Sequence, residues 1–288
     1  MSQSITQAVS GPVDQDTATA APQAGAKNTY KRNLGPLYIK RALVLIVFLC
    51  IWEASVRTGF AEAAFISSPL AVSASFLNLA FDASFWPHLY TSLIEVAVAF
   101  VLSVVLGVLA AIFLDRNESV NDVISPYIAA FNSMPRIALG PIFILWFGIG
   151  ISSKIVLATS LGFFIILMNT YAGLRNVDRD MLLMSRLYGA SETRLFWYVR
   201  LPWALPSIFA GLKLTLIYCM SGAIIGEMIA ARSGLGLLLQ TYSGQFDIAS
   251  VLAVMLMLVL VVVILTAVID AVERRLLGWS HGSTNLPE

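Results

Sequence analysis

Residues 249–272 read ASVLAVMLMLVLVVVILTAVIDAV. Their only ionisable side chain is Asp270, close to the end. A helix that crosses a bilayer needs about 20 consecutive, mostly apolar residues, and this stretch meets that condition outright. Moving outward from it, five further segments qualify, over roughly 39–57, 90–114, 127–149, 153–174 and 207–230. The third is the least regular, because Pro126, Pro135 and Pro141 interrupt it. Proline at membrane depth is tolerated where neighbouring helices or a cavity satisfy the freed backbone groups. That segment is therefore expected inside the bundle, starting as an interfacial helix before Pro135. The chain as a whole is 58% hydrophobic and 12% charged, against roughly 25% charged in an ordinary soluble domain. The expected class is an all-α integral membrane protein with six transmembrane helices.

The basic residues orient the spans, since cytoplasmic loops carry the excess of Lys and Arg. With the N-terminus inside, the inner side receives Lys27, Lys31, Arg32, Lys40, Arg41, Arg116, Arg175, Arg179, Arg186, Arg194, Arg200, Arg274 and Arg275. The outer side receives only Arg57, Lys154 and Arg232. Both termini are then cytoplasmic, and the outer connections fall near 58–88, 148–153 and 231–248. Residues 1–36, rich in Ala, Thr, Gln, Ser and Gly, read as a disordered cytoplasmic tail, residues 37–279 as the transmembrane domain and 280–288 as a second tail.

Composition also excludes functions. A net charge of +1 lacks the basic excess of a nucleic-acid binder. Cys50 and Cys219 sit in apolar runs and read as small core hydrophobes, with no metal-ligand spacing around them. The two histidines, His88 and His281, fall near opposite ends of the chain and on opposite sides of the predicted topology. No catalytic constellation is visible, so no catalytic or metal-binding residue is assigned. Gly107 and Ala111 form a small-xxx-small pair of the kind that lets two helix backbones approach closely.

The longest inner connection, residues 175–206, is too long for a simple turn and is expected to have its own structure. A first short helix fits Asp180 to Tyr188, with Gly189 as its breaker. A second is expected to start at the N-cap Ser191 and to end before Pro202. On the first, Met181, Met184, Ser185 and Tyr188 share one face while Leu183 and Leu187 lie on the other. A short helix that is apolar on two sides needs cover on two sides. Its own bundle could supply one, or both, and a partner protein could supply the other.

The run from Gly189 through nine residues to Val199-Arg200-Leu201-Pro202 resembles the EAA signature of binding-protein-dependent ABC importer permeases, which reads EAA, three residues, Gly, nine residues, Ile, one residue, Leu-Pro. The triplet differs: its positions hold Leu183, Met184 and Ser185. Ile142-Phe143-Ile144-Leu145-Trp146-Phe147-Gly148-Ile149-Gly150, Asn169-Thr170-Tyr171-Ala172-Gly173, Gly226-Glu227-Met228-Ile229 and Ser233-Gly234-Leu235-Gly236 are similar to the nitrate/sulfonate/taurine branch of that family. The resemblance, over residues 38–279, implies the type I importer transmembrane fold and a homodimer in the bacterial inner membrane. It implies two cytoplasmic ATPases that hold ATP and Mg and dock on the loop, and an external solute-binding protein. On the loop it points to Asp180, Leu183, Ser185, Arg186, Leu187, Gly189, Ala190, Leu201 and Pro202 as coupling residues. The chain has no Gly-x-x-x-x-Gly-Lys-Ser/Thr phosphate loop, so ATP hydrolysis belongs to another chain. With Leu183 where the family carries Glu, docking is expected to be more apolar.

Ionisable residues at bilayer depth are costly and mark function by default. Arg136, Glu95 and Glu227 are the pathway candidates, while Glu53, Lys213 and Asp270 lie near span ends. The competing reading is an ATP-independent carrier or channel, which commonly shows an internal inverted repeat; none is visible here. The substrate implied is a small sulfonate-, taurine- or nitrate-like anion or a related small organic compound.

Overall fold

The computed structural model describes residues 34–60 and 62–277. Most of the expected N-terminal tail and all of the C-terminal one lie outside them; residues 34–36 open the first helix. The described residues form helices α1 (Leu34–Arg57), α2 (Ala63–Ile66), α3 (Pro69–Phe81), α4 (Phe85–Arg116), α5 (Glu118–Ser133), α6 (Gly140–Phe147), α7 (Ile151–Arg175), α8 (Arg179–Leu187), α9 (Glu192–Leu195), α10 (Leu201–Ile229), α11 (Leu235–Gly244) and α12 (Ile248–Leu276). The chain divides into two units within α1, at Val47 and Phe48. The described part of the first unit is the start of α1. The second unit carries every other element.

Among the described residues, four helical stretches are long and apolar enough to cross a membrane alone: Phe85–Arg116, Ile151–Arg175, Glu192–Ile229 and Ile248–Leu276. A fifth candidate is the pair Glu118–Ser133 and Arg136–Phe147, bent by 80°. The 24-residue α1 contains the segment predicted as the first span. The third predicted span is thus not one helix over 127–149. Pro135 forces Met134 into extended backbone, at ψ 135°, a short 3₁₀ turn over Arg136–Leu139 follows, and Gly140-Pro141 starts a new helix. With eight residues, α6 reaches only about 12 Å.

Two outer connections predicted as loops are helical instead. The apolar α3 packs along α12, burying Val72 and Leu79. Within 231–248, α11 lies between α10 and α12 and buries Leu235, Gly236 and Leu239. Cys219 is buried as expected, but Cys50 is exposed on α1.

The centre of the second unit is a three-helix contact of α10 with α7 and α7 with α4. In lipid there is no hydrophobic drive to bring apolar helices together, so close packing of small residues and interhelical hydrogen bonds must do it. A Cβ on Gly222 of α10 would lie 2.7 Å from the Cα of Ala158 on α7. One on Gly162 of α7 would meet Cys219 Sγ at 2.6 Å and Ser103 Oγ at 2.7 Å. Ser207 Oγ donates to the Asn169 carbonyl at 3.0 Å, and Ser103 Oγ to that of Thr159 at 3.2 Å. Gly107 presses its missing side chain against Ile166 and the α7 backbone. Across to α12, Lys213 Nζ lies 2.5 Å from an Asp270 oxygen and 2.6 Å from one of Glu273.

Gly222→Ala is expected to destabilise the protein by about 1–3 kcal/mol, the usual cost of forcing atoms into a filled contact. A Cβ on Gly150 would touch nothing within 4 Å, and Gly150→Ala should stay within about 0.5 kcal/mol. Thermal unfolding of the two variants in the same detergent checks the difference.

Candidate functional site

Two polar regions stand at opposite ends of the α4–α7–α10 contact. The first is the connection between α7 and α10. Asp178 caps α8 by accepting from Asp180 N–H at 2.9 Å. The helix stops where the sequence places its breaker: Gly189 adopts φ +80°, Ala190 N–H donates to the Ser185 carbonyl and Gly189 N–H to that of Arg186. These are the paired bonds of a Schellman stop, which needs a left-handed residue where glycine has no steric penalty. Ser191 then caps α9, accepting from Arg194 N–H at 3.4 Å. Arg186 on α8 and Glu192 on α9 pair across the turn at 3.1 Å.

The expected end before Pro202 is overturned. The chain passes from α9 through a π turn over Phe196–Arg200 directly into α10. Leu201 N–H reaches back five residues to the Phe196 carbonyl. That wider step seats Pro202 in the first turn of α10, where a missing donor is tolerated. Leu201 packs against the small core of Leu174, Phe196 and Ala204, and Trp203 Nε1 closes the connection by donating to the Asn176 carbonyl at 3.2 Å.

Among the described residues, nothing covers either apolar face of α8. Leu183 is 58% exposed and Leu187 79% on one side; Met184 is 61% and Tyr188 90% on the other. Ser185 turns its hydroxyl back to the Met181 carbonyl at 2.8 Å.

At the root of this connection lies a residue that sequence reading passed over. Asp115, at the end of α4, has a side chain with no exposed area. Its Oδ2 accepts from Arg200 Nη1 at 2.9 Å, and its Oδ1 stands 3.9 Å from Arg175 Nε. Arg175 also reaches Glu118 at 3.6 Å, and Arg116 stacks over Phe196 at 4.5 Å. The available signal was an acid closing an apolar run opposite a loop bounded by two arginines.

The second region joins α4, α7, α10 and the start of α11. Glu227 is fully buried. It accepts from Ser92 Oγ at 2.6 Å and from Gly236 N–H at 2.6 Å. Leu235 N–H donates to Ser92 Oγ at 2.8 Å and Gly234 N–H to His88 Nδ1 at 3.0 Å. The first turn of α11 has no cap of its own, and these side chains from α4 and α10 take up its orphan donors. A Cβ on Gly234 or Gly236 would strike the Glu227 side chain, which accounts for the Ser233-Gly234-Leu235-Gly236 run.

Glu95 stands one turn along α4 from Ser92 and is 1% exposed; neither of its oxygens has a hydrogen-bond partner among the described residues. With Lys154, Arg232, Thr91 and Ser233 it lines a cavity of about 340 Å³. Lys154 Nζ donates to the carbonyls of Ile149 and Gly150 at 2.9 and 3.0 Å. Glu95 and Glu227 thus share one region. Arg136 lies apart from it, donating to the Ser160 carbonyl at 2.8 Å and to Asn132 Oδ1 at 2.8 Å, and stacking on Phe164 at 4.6 Å. It fastens the break between α5 and α6 to α7.

Residues 103–278 match the family described as binding-protein-dependent transport system inner membrane component. The chain is 33% identical to the formylaminopyrimidine transport permease protein of Halalkalibacterium halodurans, over 84% of this chain and 96% of that one. It is 31% identical to the taurine transport system permease protein of Escherichia coli, over 83% of this chain and 88% of the relative. Among solved structures, an inward-facing form of the MetNI methionine ABC transporter aligns at a TM-score of 0.58 with 23% identity, over 65% of this chain and 93% of that one.

Gly189→Ala is expected to weaken the α8 stop by about 1–2 kcal/mol, the cost of a left-handed non-glycine residue, and Gly189→Asn by less. Amide exchange at Ala190 reads the effect directly: it accelerates in the alanine variant.

Proposed function

The chain belongs to the family of binding-protein-dependent transport system inner membrane components, and we propose that it couples to its ATPase through α8. It is a multi-pass permease subunit of an ATP-driven importer, not an enzyme. Its partners are an ATPase and a solute-binding protein. In the finer reading, α1 supplies a sixth span, the transmembrane domain runs over 37–279 and both termini face the cytoplasm of a bacterial inner membrane. Two copies of the chain form the pathway, each docked on one of two ATPases, which hold the ATP and Mg. The basic residues at the α8 end support that orientation.

The observation that carries the coupling assignment is the exposure of both apolar faces of α8 on a rigid, capped and glycine-stopped helix. Met181, Leu183, Met184, Leu187 and Tyr188 form an apolar knob with Asp180 and Arg186 at its edge. A knob of this kind suits an apolar groove on a cytoplasmic protein. Leu183, where the family's signature carries Glu, makes the contact more apolar. Ser185, Gly189 and Ala190 shape the helix stop, while Leu201 and Pro202 seat the connection on α10.

The substrate is proposed to be a small solute handed over by the external binding protein. The relatives named for taurine and for formylaminopyrimidine support a sulfonate-like anion or a small heterocyclic compound. In the pathway, Arg136 at the break of α5 and α6, with Glu95 near the 340 Å³ cavity, are the polar groups a solute would meet. Glu227 is committed to holding α11 and acts on the pathway through that helix.

Reconstitution in proteoliposomes tests the assignment. Uptake is expected only when the chain, its ATPase, the binding protein and ATP are all present; uptake by the chain alone would establish a carrier instead. Leu183→Glu is expected to lower ATPase co-purification about tenfold, because a carboxylate pressed into an apolar groove carries its desolvation cost. Unchanged association would count against apolar docking.

A further inference from the structure

We propose that Asp115 is the positioning residue through which displacement of the α7–α10 connection is delivered to α4. The inference rests on the reading of α8 as the ATPase-docking helix. The connection has two roots. One is Arg175, the last residue of α7; the other is Arg200, the residue before α10. Both guanidinium groups converge on one carboxylate, and that carboxylate belongs to neither helix. It is the penultimate residue of α4.

The two contacts are unequal. Arg200 Nη1 is hydrogen-bonded to Oδ2 at 2.9 Å, whereas Arg175 Nε stands off Oδ1 at 3.9 Å. Oδ1 is buried and accepts no hydrogen bond, and Arg200 Nε is buried and donates none, among the described residues. A buried carboxylate oxygen without a donor is costly, and Arg175 Nε, 3.9 Å from Oδ1, needs to move by only about an ångström to reach hydrogen-bond distance. Asp115 is therefore engaged on one root and open on the other. A shift of the connection that brings Arg175 in closes the second bond and ties α4, α7 and α10 together. The α8–α9 part of the connection borders open space. A cavity of about 760 Å³ lies beside Asp115, bounded by Arg116, Glu118, Arg186, Glu192 and Phe196. It separates the α8–α9 pair from the end of α4. Arg175 is otherwise held by the exposed Glu118 at 3.6 Å and by the Tyr171 ring, 5.2 Å from its guanidinium; the ion pair yields readily in water.

The test uses the complete transporter, with ATPase and binding protein, in proteoliposomes. Asp115→Asn keeps the shape and removes the charge. The ATPase is expected to co-purify as with the unaltered chain, while solute moved per ATP hydrolysed falls about tenfold, the scale of a typical coupling free energy. Arg175→Gln is expected to reproduce the loss, and Asp115→Glu to restore part of it. A merely structural role would lower yield and thermal stability without changing solute moved per ATP, so that ratio decides. An unchanged ratio in Asp115→Asn overturns the proposal, and so does loss of ATPase co-purification, which would make Asp115 a docking determinant. If Asp115→Asn fails to fold, Arg175→Gln carries the same readout, and an unchanged ratio there overturns the proposal equally. Failure of the unaltered chain to retain an ATPase would instead refute the docking assignment itself.

Discussion

The arrangement depends on how closely α7 and α10 approach. Nothing apolar is gained when one lipid-facing helix leaves the hydrocarbon for another, so contact requires backbones to come within reach of dispersion and short hydrogen bonds. Gly162, Ala158 and Gly222 supply that proximity, and α4 joins through Gly107 and Ser103. With this seam fixed, the ends of three helices are held side by side at both extremities. Polar groups that would be ruinous singly at bilayer depth then find one another. Serine, carboxylate and backbone donors meet at the α11 end; one carboxylate meets two arginines at the α8 end.

These two ends differ in character. At the α11 end the hydrogen bonds around Glu227 are short and satisfied on both oxygens, so that helix is pinned. At the α8 end only the Arg200–Asp115 pair is short and buried among the described residues; the Arg175–Glu118 and Arg186–Glu192 pairs are more exposed and adjoin open space. The break of α5 and α6, fastened by Arg136 to the α7 backbone, adds an irregular segment next to the rigid seam.

Most of the long helices were legible because membrane crossing imposes a length and a composition on each segment independently. Residues 249–272 fall inside α12 and 153–174 inside α7 with little ambiguity. The Gly189 stop and the Ser191 cap were legible for a different reason: each is a local backbone event written in one residue. What escaped was settled by tertiary contact. Pro202 read as a terminator, but the π turn before it carried the helix through. The helices α3 and α11 sat in stretches counted as loops because they are too short to span. Their burial comes from α10 and α12, not from their own pattern. Asp115 was passed over because its partners lie 60 and 85 residues away, which leaves only a weak local signal. Glu95 and Glu227 were both flagged, and only the fold showed that they occupy one region.

The packing of Glu227 against Gly234 and Gly236 also constrains how such a chain drifts over generations. The Glu227 side chain occupies the volume that a side chain at 234 would need and, with the Ile224 carbonyl, closes off that at 236, and it supplies the acceptor that α11 lacks. Replacing the glycines first produces a collision; replacing the acid first leaves a bare helix end and a void. Neither single step is neutral, so substitutions at these three positions are energetically coupled, and an α11 without Glu227 would need a cap of its own.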